Sequence, residues 1–398
     1  MPEFVAGLPK AELHLHIEGS LTPARAYAIA KRNGLDLDAF DPEKGAAARR
    51  EFTSLVPFLI EYGKCSGVMR KEEDFYDMMY DYLERAAENG VVHAEIFFDP
   101  QTHCYTDVSG VTAEGFNPEG KAGGKFNPNG VGEKILEFKT VITGLTKALE
   151  EGRKTLGVDG KLILCFLRDR SVEEALQVLE DARPYMEDKS PVYTPHLLGV
   201  GMDNAELGFR PGRFKPAYDK AREAGLHCVA HAGEEGDASY ITEALDDLKI
   251  ERVDHGVRCL EDPAVVERLV KAQTPLTVCP CSNHRLQVYP RFFCGENAVR
   301  QLLSWGVKVT VNSDDPAYFF MGNVSAAGRA CDASAYDGFL ASNYLRTVRD
   351  CGLSPDECVQ LALNSFDASF ISEDDKKAHK AKVAEYCKGW RPACPPAA

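Results

Sequence analysis

The sequence predicts an α/β protein, a (β/α)8 barrel of the TIM type, and three observations lead to this fold class. Short apolar runs recur along the 398 residues, and each is followed by a stretch with the apolar spacing of a helix. Eight such runs can be counted. Polar and titratable residues gather where the runs end, as they do at the catalytic face of such barrels.

The eight predicted strands are short and mostly apolar. They cover residues 12–17, 91–98, 161–167, 197–202, 226–231, 252–255, 276–279 and 308–312. No glycine-rich phosphate loop follows the first run, so the sequence offers little support for the alternative, an open doubly wound sheet. We expect residues 1–398 to form a single domain.

Extra helices are predicted after the first strand and at the C-terminus. Residues 18–90 have mainly helical spacing, and Thr22 followed by Pro23 is typical of a helix start, so these helices could cover the barrel mouth. Residues 337–389 are expected to wrap the outside. Segment 107–132 is rich in glycine and repeats a Phe-Asn-Pro triplet, which predicts a flexible surface insertion, with a lid over the site as the alternative.

Composition and charge exclude several classes of partner. The 46 Lys and Arg residues against 61 Asp and Glu residues give a net charge of −15, which disfavours nucleic acid and anionic membranes. No apolar run reaches transmembrane length and the first residues do not form a secretory signal. Thirteen scattered cysteines favour reduced thiols. We expect a cytoplasmic protein, with a nuclear pool if the source is a eukaryote; the sequence leaves a homo-oligomer open.

A set of histidines and carboxylates predicts a metal site. His14 and His16 lie two apart in an extended run, so their imidazoles share one face of the strand. His231, His255 and Asp314 stand at the ends of the fifth, sixth and eighth runs. Three imidazoles and a carboxylate form a metal set that leaves a position open for water, as catalytic zinc requires.

These residues, in this order, resemble the adenosine deaminase family of the amidohydrolase superfamily, and the resemblance runs from Leu8 to about Phe370. It implies the same barrel and one Zn²⁺ per subunit, held by His14, His16, His231 and Asp314. It also implies that Glu234 is the proton donor, that His255 handles the attacking water and that Asp315 contacts a purine.

Chemistry explains why each residue type is needed. Zinc lowers the pKa of bound water to about 7, and His255 titrates in a range that lets it take or orient the proton. Glu234 must remain protonated to donate to N1 of the ring, and an apolar pocket with neighbouring carboxylates would raise its pKa. Asp315, also neutral, would hydrogen-bond to N7.

The segment after the fourth strand bears on the substrate. It ends Met-Asp-Asn-Ala-Glu, with Asp203 and Glu206, where adenosine deaminases usually end Ala-Gly-Asp-Glu. Glu206 takes the place of a glycine, and a carboxylate there would accept the imidazole N–H of free adenine while obstructing a ribose. Asp203 is a further candidate for substrate binding. The alternative for Glu206 is a surface or capping carboxylate.

Within the family, the chain resembles the bacterial and fungal adenine deaminases, in residues 97–103 and 312–318 and in Glu18 and Glu206. The expected function is therefore zinc-dependent hydrolysis of adenine to hypoxanthine and ammonia in purine salvage. Deamination of adenosine or another 6-aminopurine is the first alternative, and a purine-binding protein without turnover is the second. Among the other histidines, His93 should be packed within its strand, whereas His103 and His196 should be exposed; lining of the barrel mouth is the alternative for His103.

Overall fold

The eight predicted strands form one parallel sheet. The computed structural model describes residues 1–50, 53–106, 111–112, 115–116, 130–331 and 336–390. The strands are β1 Lys10–Glu12, β2 Val91–Phe98, β3 Val111–Thr112, β4 Gly115–Phe116, β5 Asp159–Leu167, β6 Leu197–Asp203, β7 His227–Ala232, β8 Arg252–His255, β9 Leu276–Val278 and β10 Val309–Val311. The sheet has the order β1-β2-β5-β6-β7-β8-β9-β10, which confirms the (β/α)8 barrel.

The barrel is joined between its first and last strands just beyond the ends of β1 and β10. The Asp314 N–H donates to the His14 carbonyl and the His16 N–H donates to the Asp314 carbonyl, both at 3.0 Å. The first strand was expected over 12–17, but the regular strand ends at Glu12. Beyond it the chain pairs through isolated bridges, and Leu13 donates its N–H to the Asn312 side chain at 2.8 Å instead of to a backbone carbonyl.

Helices surround the sheet. They are α1 Pro2–Gly7, α2 Pro23–Arg32, α3 Pro42–Ala48, α4 Leu55–Ser66, α5 Glu72–Glu88, α6 Pro100–Cys104, α7 Phe138–Thr155, α8 Val172–Met186, α9 Lys215–Glu223, α10 Ala238–Glu243, α11 Pro263–Ala272, α12 Pro280–Arg285, α13 Val288–Phe292, α14 Val299–Ser304, α15 Leu340–Cys351, α16 Pro355–Ala368 and α17 Glu373–Gly389. The Thr22 side chain caps α2 by accepting the Arg25 N–H, and Pro23 stands in its first turn, as predicted.

The extra helices lie where the sequence predicted them. Helices α2, α3 and α4 precede α5 in the first connection, and α15, α16 and α17 follow β10. The insertion predicted over 107–132 falls mostly outside the described residues, and within it β3 and β4 form an antiparallel pair. Its role as a flexible segment or lid stays a prediction. In the described ranges, no helix combines the length and the apolar character that crossing a membrane requires.

Charged residues in the amino-terminal part of the barrel are buried together with their partners. Arg252 donates to Glu95 at 2.5 Å and to the Leu13 carbonyl at 3.2 Å. His93 lies 3.3 Å from the same Glu95 carboxylate, as expected for a packed histidine. The ammonium of Lys10 donates to two backbone carbonyls, and burial lowers the pKa of Lys10 to about 7.

Two histidines expected to be exposed are buried instead. His103 lies 2.9 Å from the Glu18 carboxylate, and His196 lies 2.9 Å from the Gly160 carbonyl. Both stand close to strand ends, where packing against the neighbouring connections covers them. Each imidazole therefore serves as a buried hydrogen-bonding group.

Candidate active site

Two histidines and an aspartate converge at the carboxyl end of the barrel. Nε2 of His14 and Nε2 of His16 lie 3.3 and 3.5 Å from the same oxygen, Oδ1 of Asp314. Nε2 of His16 is also 3.1 Å from Nε2 of His231. All four residues are buried, and among the described residues Nε2 of His14 has no hydrogen-bond partner. Imidazole lone pairs this close together call for a shared proton or a shared cation.

The donor set fits a metal ion. Ligand atoms of His14, His231, His255 and Asp314 lie within 4.8 Å of one another, and His16 joins them through its contacts with His231 and Asp314. Imidazole nitrogens and a carboxylate oxygen suit zinc and related divalent ions. The structure thus brings together all four predicted ligands, with His255 beside them.

A hydroxyl and a carboxylate orient His14 from behind. Thr277 donates its hydroxyl to Asp254 at 2.8 Å and lies 2.9 Å from Nδ1 of His14. Because that hydroxyl proton is committed to Asp254, the oxygen accepts from Nδ1–H, which leaves Nε2 as the lone-pair nitrogen facing the cluster. No role was predicted from the sequence for Thr277 or Asp254. The position of Asp254, next to His255 at a strand end, was the feature that could have indicated one.

The backbone is strained at the two residues that complete the site. His255 has φ 59° and Asp314 has φ 64°, in the left-handed region that non-glycine residues rarely occupy. Such conformations persist only where the surrounding structure imposes them, and they cluster at functional sites. His255 ends β8 and Asp314 follows β10, so the turns direct both side chains to the carboxyl end of the barrel.

An acid and a base whose pKa values are shifted towards their uncharged forms stand side by side in the site. Burial, reinforced by the charges of Asp314 and Glu235, raises the pKa of Glu234 well above its usual value. Burial and the nearby His14 lower the pKa of His255 to about 3, which is below the range near neutrality expected for this histidine from the sequence. Oε2 of Glu234 lies 3.6 Å from Nε2 of His255. The two shifts favour a carboxyl group that carries a proton and an imidazole that carries a lone pair.

Asp315 is a second buried acid in the site. Burial, followed by the charge of Asp314, raises the pKa of Asp315 well above its usual value. Within the described structure its Oδ1 has no hydrogen-bond partner. A side chain on Gly19 would overlap this carboxyl group, so the glycine leaves the room that Asp315 occupies. Asp315 is therefore a buried carboxyl group whose pKa shift favours the neutral form and whose Oδ1 is left for a ligand.

A half-open cavity connects these groups. Part of its lining is apolar and includes α4, as predicted for a helix over the barrel mouth; this part is formed by Leu55, Phe58, Leu59, Leu286 and Phe319. The polar part of the lining is larger and is formed by His16, Tyr62, Asp99, Asp203, Asn204, His231, Glu234, His255, Asp314 and Asp315. A concave site with apolar contacts and convergent polar groups is typical of small-molecule binding.

Asp203 lines the cavity as a substrate-binding residue would. Its Oδ2 is 3.3 Å from Nδ1 of His16, and burial raises the pKa of Asp203 to about 7. Tyr62 donates to the neighbouring Asp99 at 2.7 Å. No role was predicted from the sequence for Asp99 or Tyr62. Asp99 directly follows β2, and its position at a strand end could have indicated a place in the site.

The contacts of Glu206 fit the alternative given for it from the sequence, a capping carboxylate. Its carboxylate accepts the backbone N–H groups of residues 233–236, at 2.8 to 3.1 Å. Glu206 is only 1% exposed, and it is not one of the described residues that line the cavity. Four backbone N–H groups of this loop are therefore satisfied by Glu206, and its contact with a substrate stays a prediction.

Comparisons with known proteins show the family of this chain. The family model described as adenosine deaminase matches residues 9–386. A relative named adenine deaminase from Hahella chejuensis is 41% identical over 386 residues, which cover 97% of this chain and 99% of that protein. Another from Trichlorobacter lovleyi is 43% identical over 377 residues, covering 94% and 92%.

Solved structures share the fold. A crystal structure of an adenine deaminase from Arthrobacter aurescens aligns with a TM-score of 0.78 and 39% identity, covering 96% of this chain and all of that one. An amidohydrolase from Burkholderia ambifaria, solved with bound Zn, has the same fold at 22% identity, with a TM-score of 0.75 and coverage of 97% and 93%. With this match over nearly its whole length, the chain belongs to the adenosine deaminase family.

Proposed function

We propose that this protein hydrolyses adenine to hypoxanthine and ammonia. The observation that carries the proposal is the contact of 3.6 Å between the Glu234 carboxyl group and the His255 imidazole, set beside a cluster of imidazoles in one cavity. The relatives named adenine deaminase, at about 40% identity over nearly the full length, support adenine as the substrate.

The ligands of the proposed metal ion are His14, His16, His231 and Asp314, and we propose zinc as the metal. The converging lone pairs and the unpartnered Nε2 of His14 among the described residues support this assignment. When bound, zinc supplies a nucleophile at neutral pH by lowering the pKa of water to about 7. Thr277 and Asp254 fix the tautomer of His14 that such binding needs.

His255 and Glu234 each carry out one of the first two proton transfers of the proposed reaction. His255 accepts the proton of the water that attacks C6, because its imidazole is neutral. Glu234 donates its proton to N1, which makes C6 more electrophilic as the water adds. The proton held by His255 then passes to the amino group, the C6–N bond breaks and ammonia leaves, while the proton of the new C6 hydroxyl returns to Glu234 as the carbonyl of hypoxanthine forms. Water and adenine are thereby converted to hypoxanthine and ammonia with no further reactant.

Asp315 orients the ring. Since its carboxyl group is neutral, it can donate a hydrogen bond to N7 while Glu234 serves N1. These two contacts flank C6 and fix the carbon that reacts. Asp203 and Asp99 belong to the polar part of the cavity lining, where the remaining ring nitrogens would be recognised.

The alternatives concern the substrate and turnover. Adenosine or another 6-aminopurine would use the same acid and base, so only the contacts with the rest of the purine would change. A purine-binding protein without turnover would not need Glu234 and His255 together in these protonation states.

All twelve cysteines in the described ranges are unpaired, which supports a reducing compartment such as the cytoplasm.

Ammonia release from adenine and from adenosine, measured in parallel on purified protein of known metal content, tests the proposal. We expect turnover of adenine with one zinc per chain and at least about a hundredfold preference in kcat/KM over adenosine, since a ribose adds bulk that must fit against the side chains lining the cavity. Preference for adenosine would overturn the choice of substrate. Absence of turnover of every 6-aminopurine with zinc bound would overturn the enzymatic function.

A further inference from the structure

The backbone of the proton donor is wrapped around a buried carboxylate. Oε1 of Glu206 accepts the Gly233 N–H at 2.8 Å, and Oε2 accepts the N–H groups of Glu234, Glu235 and Gly236 at 3.1, 2.8 and 2.9 Å. Four successive amides directed at one carboxylate form a concave anion-binding nest. The ligand of this nest is a side chain of the same protein.

Two glycines make this curvature possible. Gly233 has φ 76°, in the left-handed region that glycine adopts without steric cost. A Cβ on Gly236 would lie 2.8 Å from Oε1 of Glu206 and would push the carboxylate away. The loop from Gly233 to Gly236 therefore closes on Glu206 with no room for another group.

A buried arginine ties the same loop to the metal ligands. Arg168 donates Nη1 to the His231 carbonyl at 2.8 Å and Nε to the Phe209 carbonyl at 3.0 Å. Its Nη1 is also 4.0 Å from Oε1 of Glu206, so a positive charge compensates the buried carboxylate. Arg168 thus connects the end of β7, which carries His231, with the segment that carries Glu206.

Glu206 also contributes to the electrostatics of the donor. The charges around Glu234 are the carboxylates of Asp314, Glu235 and Glu206, which raise the pKa of Glu234, and Arg168, which lowers it; His255 lies beside it. Removing the charge of Glu206 would lower the pKa of Glu234. The same carboxylate therefore bears on both the position and the protonation of the donor.

We infer that Glu206, balanced by Arg168, is a positioning residue that fixes the 233–236 loop so that the Glu234 carboxyl group faces the reacting ring. The inference rests on the proposed function, because it presumes that Glu234 is the proton donor. It assigns Glu206 to the rate of the chemical step and not to the binding of the purine.

Steady-state kinetics of Glu206→Gln on adenine test the inference. The amide keeps the size of the side chain, but its NH₂ group must face at least one N–H of the nest. We expect retained metal, a KM within about twofold of the parent and a kcat about a hundredfold lower, the cost of a displacement of about 1 Å. The basic limb of the kcat profile should move to lower pH, because Glu234 loses a neighbouring negative charge.

A matched control is Glu243→Gln. Glu243 also accepts a backbone N–H, that of Gly212 at 2.8 Å, but it is not one of the described residues that line the cavity. Its kcat, KM and pH profile should equal those of the parent. Glu206→Asp retains the charge and shortens the reach, so kcat should fall while the basic limb stays in place.

The outcomes separate this inference from the proposed function. If the parent deaminates adenine and Glu206→Gln has the parental kcat and pH profile, the inference fails and the proposed function stands. A raised KM with unchanged kcat would also overturn it, since Glu206 would then contact the substrate. Loss of metal or of folding in both Glu206 variants would make the role purely structural. A parent inactive on adenine would refute the proposed function directly.

Discussion

The two ends of the barrel bury similar residues in opposite ways. In the amino-terminal part, Arg252 and Glu95 face each other at 2.5 Å, and Lys10 donates to two carbonyls. At the carboxyl end, by contrast, Glu234 and Asp315 each keep an oxygen with no hydrogen-bond partner among the residues described. Paired groups stabilise the fold, whereas unpartnered buried groups cost free energy that only binding of a ligand can recover.

The hydrogen-bond partners of buried polar groups, rather than their residue types, distinguish the structural cluster at the amino end from the proposed catalytic cluster at the carboxyl end. His14 and His93 are both fully buried histidines of the barrel interior, and each has one nitrogen without a hydrogen-bond partner among the described residues. The nitrogen of His14 lies among other possible metal ligands, whereas Nδ1 of His93 lies 3.4 Å from the Asp159 carboxylate. His93 lies between two carboxylates, those of Glu95 and Asp159. Substitutions at the two ends should accordingly change different properties.

The largest effect is expected for His14→Ala. It should lose the metal and reduce ammonia release to background, because one of the converging nitrogens is removed. His93→Ala is the matched control and should keep metal and turnover while lowering the free energy of unfolding by about 1–3 kcal/mol. Metal analysis, activity and urea unfolding of both variants check this pair. Stoichiometric metal in His14→Ala would contradict the assignment of His14 as a ligand.

Replacing the proton donor should have the next largest effect. Glu234→Gln should retain metal and reduce kcat by about 10²- to 10⁴-fold, the usual contribution of a general acid. In the parent, kcat should fall as pH rises through the raised pKa of Glu234, because the donor must carry its proton. A pH series on both proteins measures this limb. Near-parental turnover by Glu234→Gln would show that another group protonates N1.

At the amino end, Arg252→Met should affect stability alone. Removal of one partner leaves Glu95 as a buried, uncompensated charge, which costs about 3–5 kcal/mol. The kcat and metal content of the folded fraction should not change. The double variant Arg252→Met with Glu95→Gln should recover part of the loss in urea unfolding. A lower kcat for Arg252→Met would mean that the two ends are coupled.

The smallest effect concerns Lys10 and pH. Its pKa is about 7 in the folded protein against 10.5 as the ordinary value, so between these pH values the unfolded chain binds a proton that the folded chain does not. The free energy of unfolding should therefore gain a positive contribution as pH rises from 7 to 10.5. Lys10→Met should flatten this slope in unfolding experiments. An unchanged slope would mean that Lys10 stays protonated when folded.

The sequence was sufficient to predict those elements that depend on neighbouring residues. Apolar runs located the strands of the barrel, and Thr22 with Pro23 located a helix start, because burial and capping act on neighbouring residues. The proposed ligands were found because each stands at a strand end, and parallel strands bring such ends together. No local pattern indicated that β1 would end at Glu12, since its continuation depends on pairing with residues about 300 positions away.

The role of Glu206 could not be read from its neighbours in the sequence. A carboxylate that replaces a glycine suggested contact with the substrate, but its partners are backbone N–H groups of residues 233–236. Because almost every residue type has a backbone N–H, the sequence of this loop does not show that it binds a carboxylate. The role of Thr277 was not predicted for a related reason, because its partner His14 lies 263 residues away in the sequence. A residue that acts by positioning another residue has no sequence motif that marks this role.

Helix α4 separates the choice of substrate from the chemistry. Leu55, Phe58 and Leu59 of this helix bound the cavity, whereas the proposed acid, base and ligands lie at the ends of strands. Substitutions on one exchangeable helix can therefore resize the space above the reacting ring while the reacting groups stay in place.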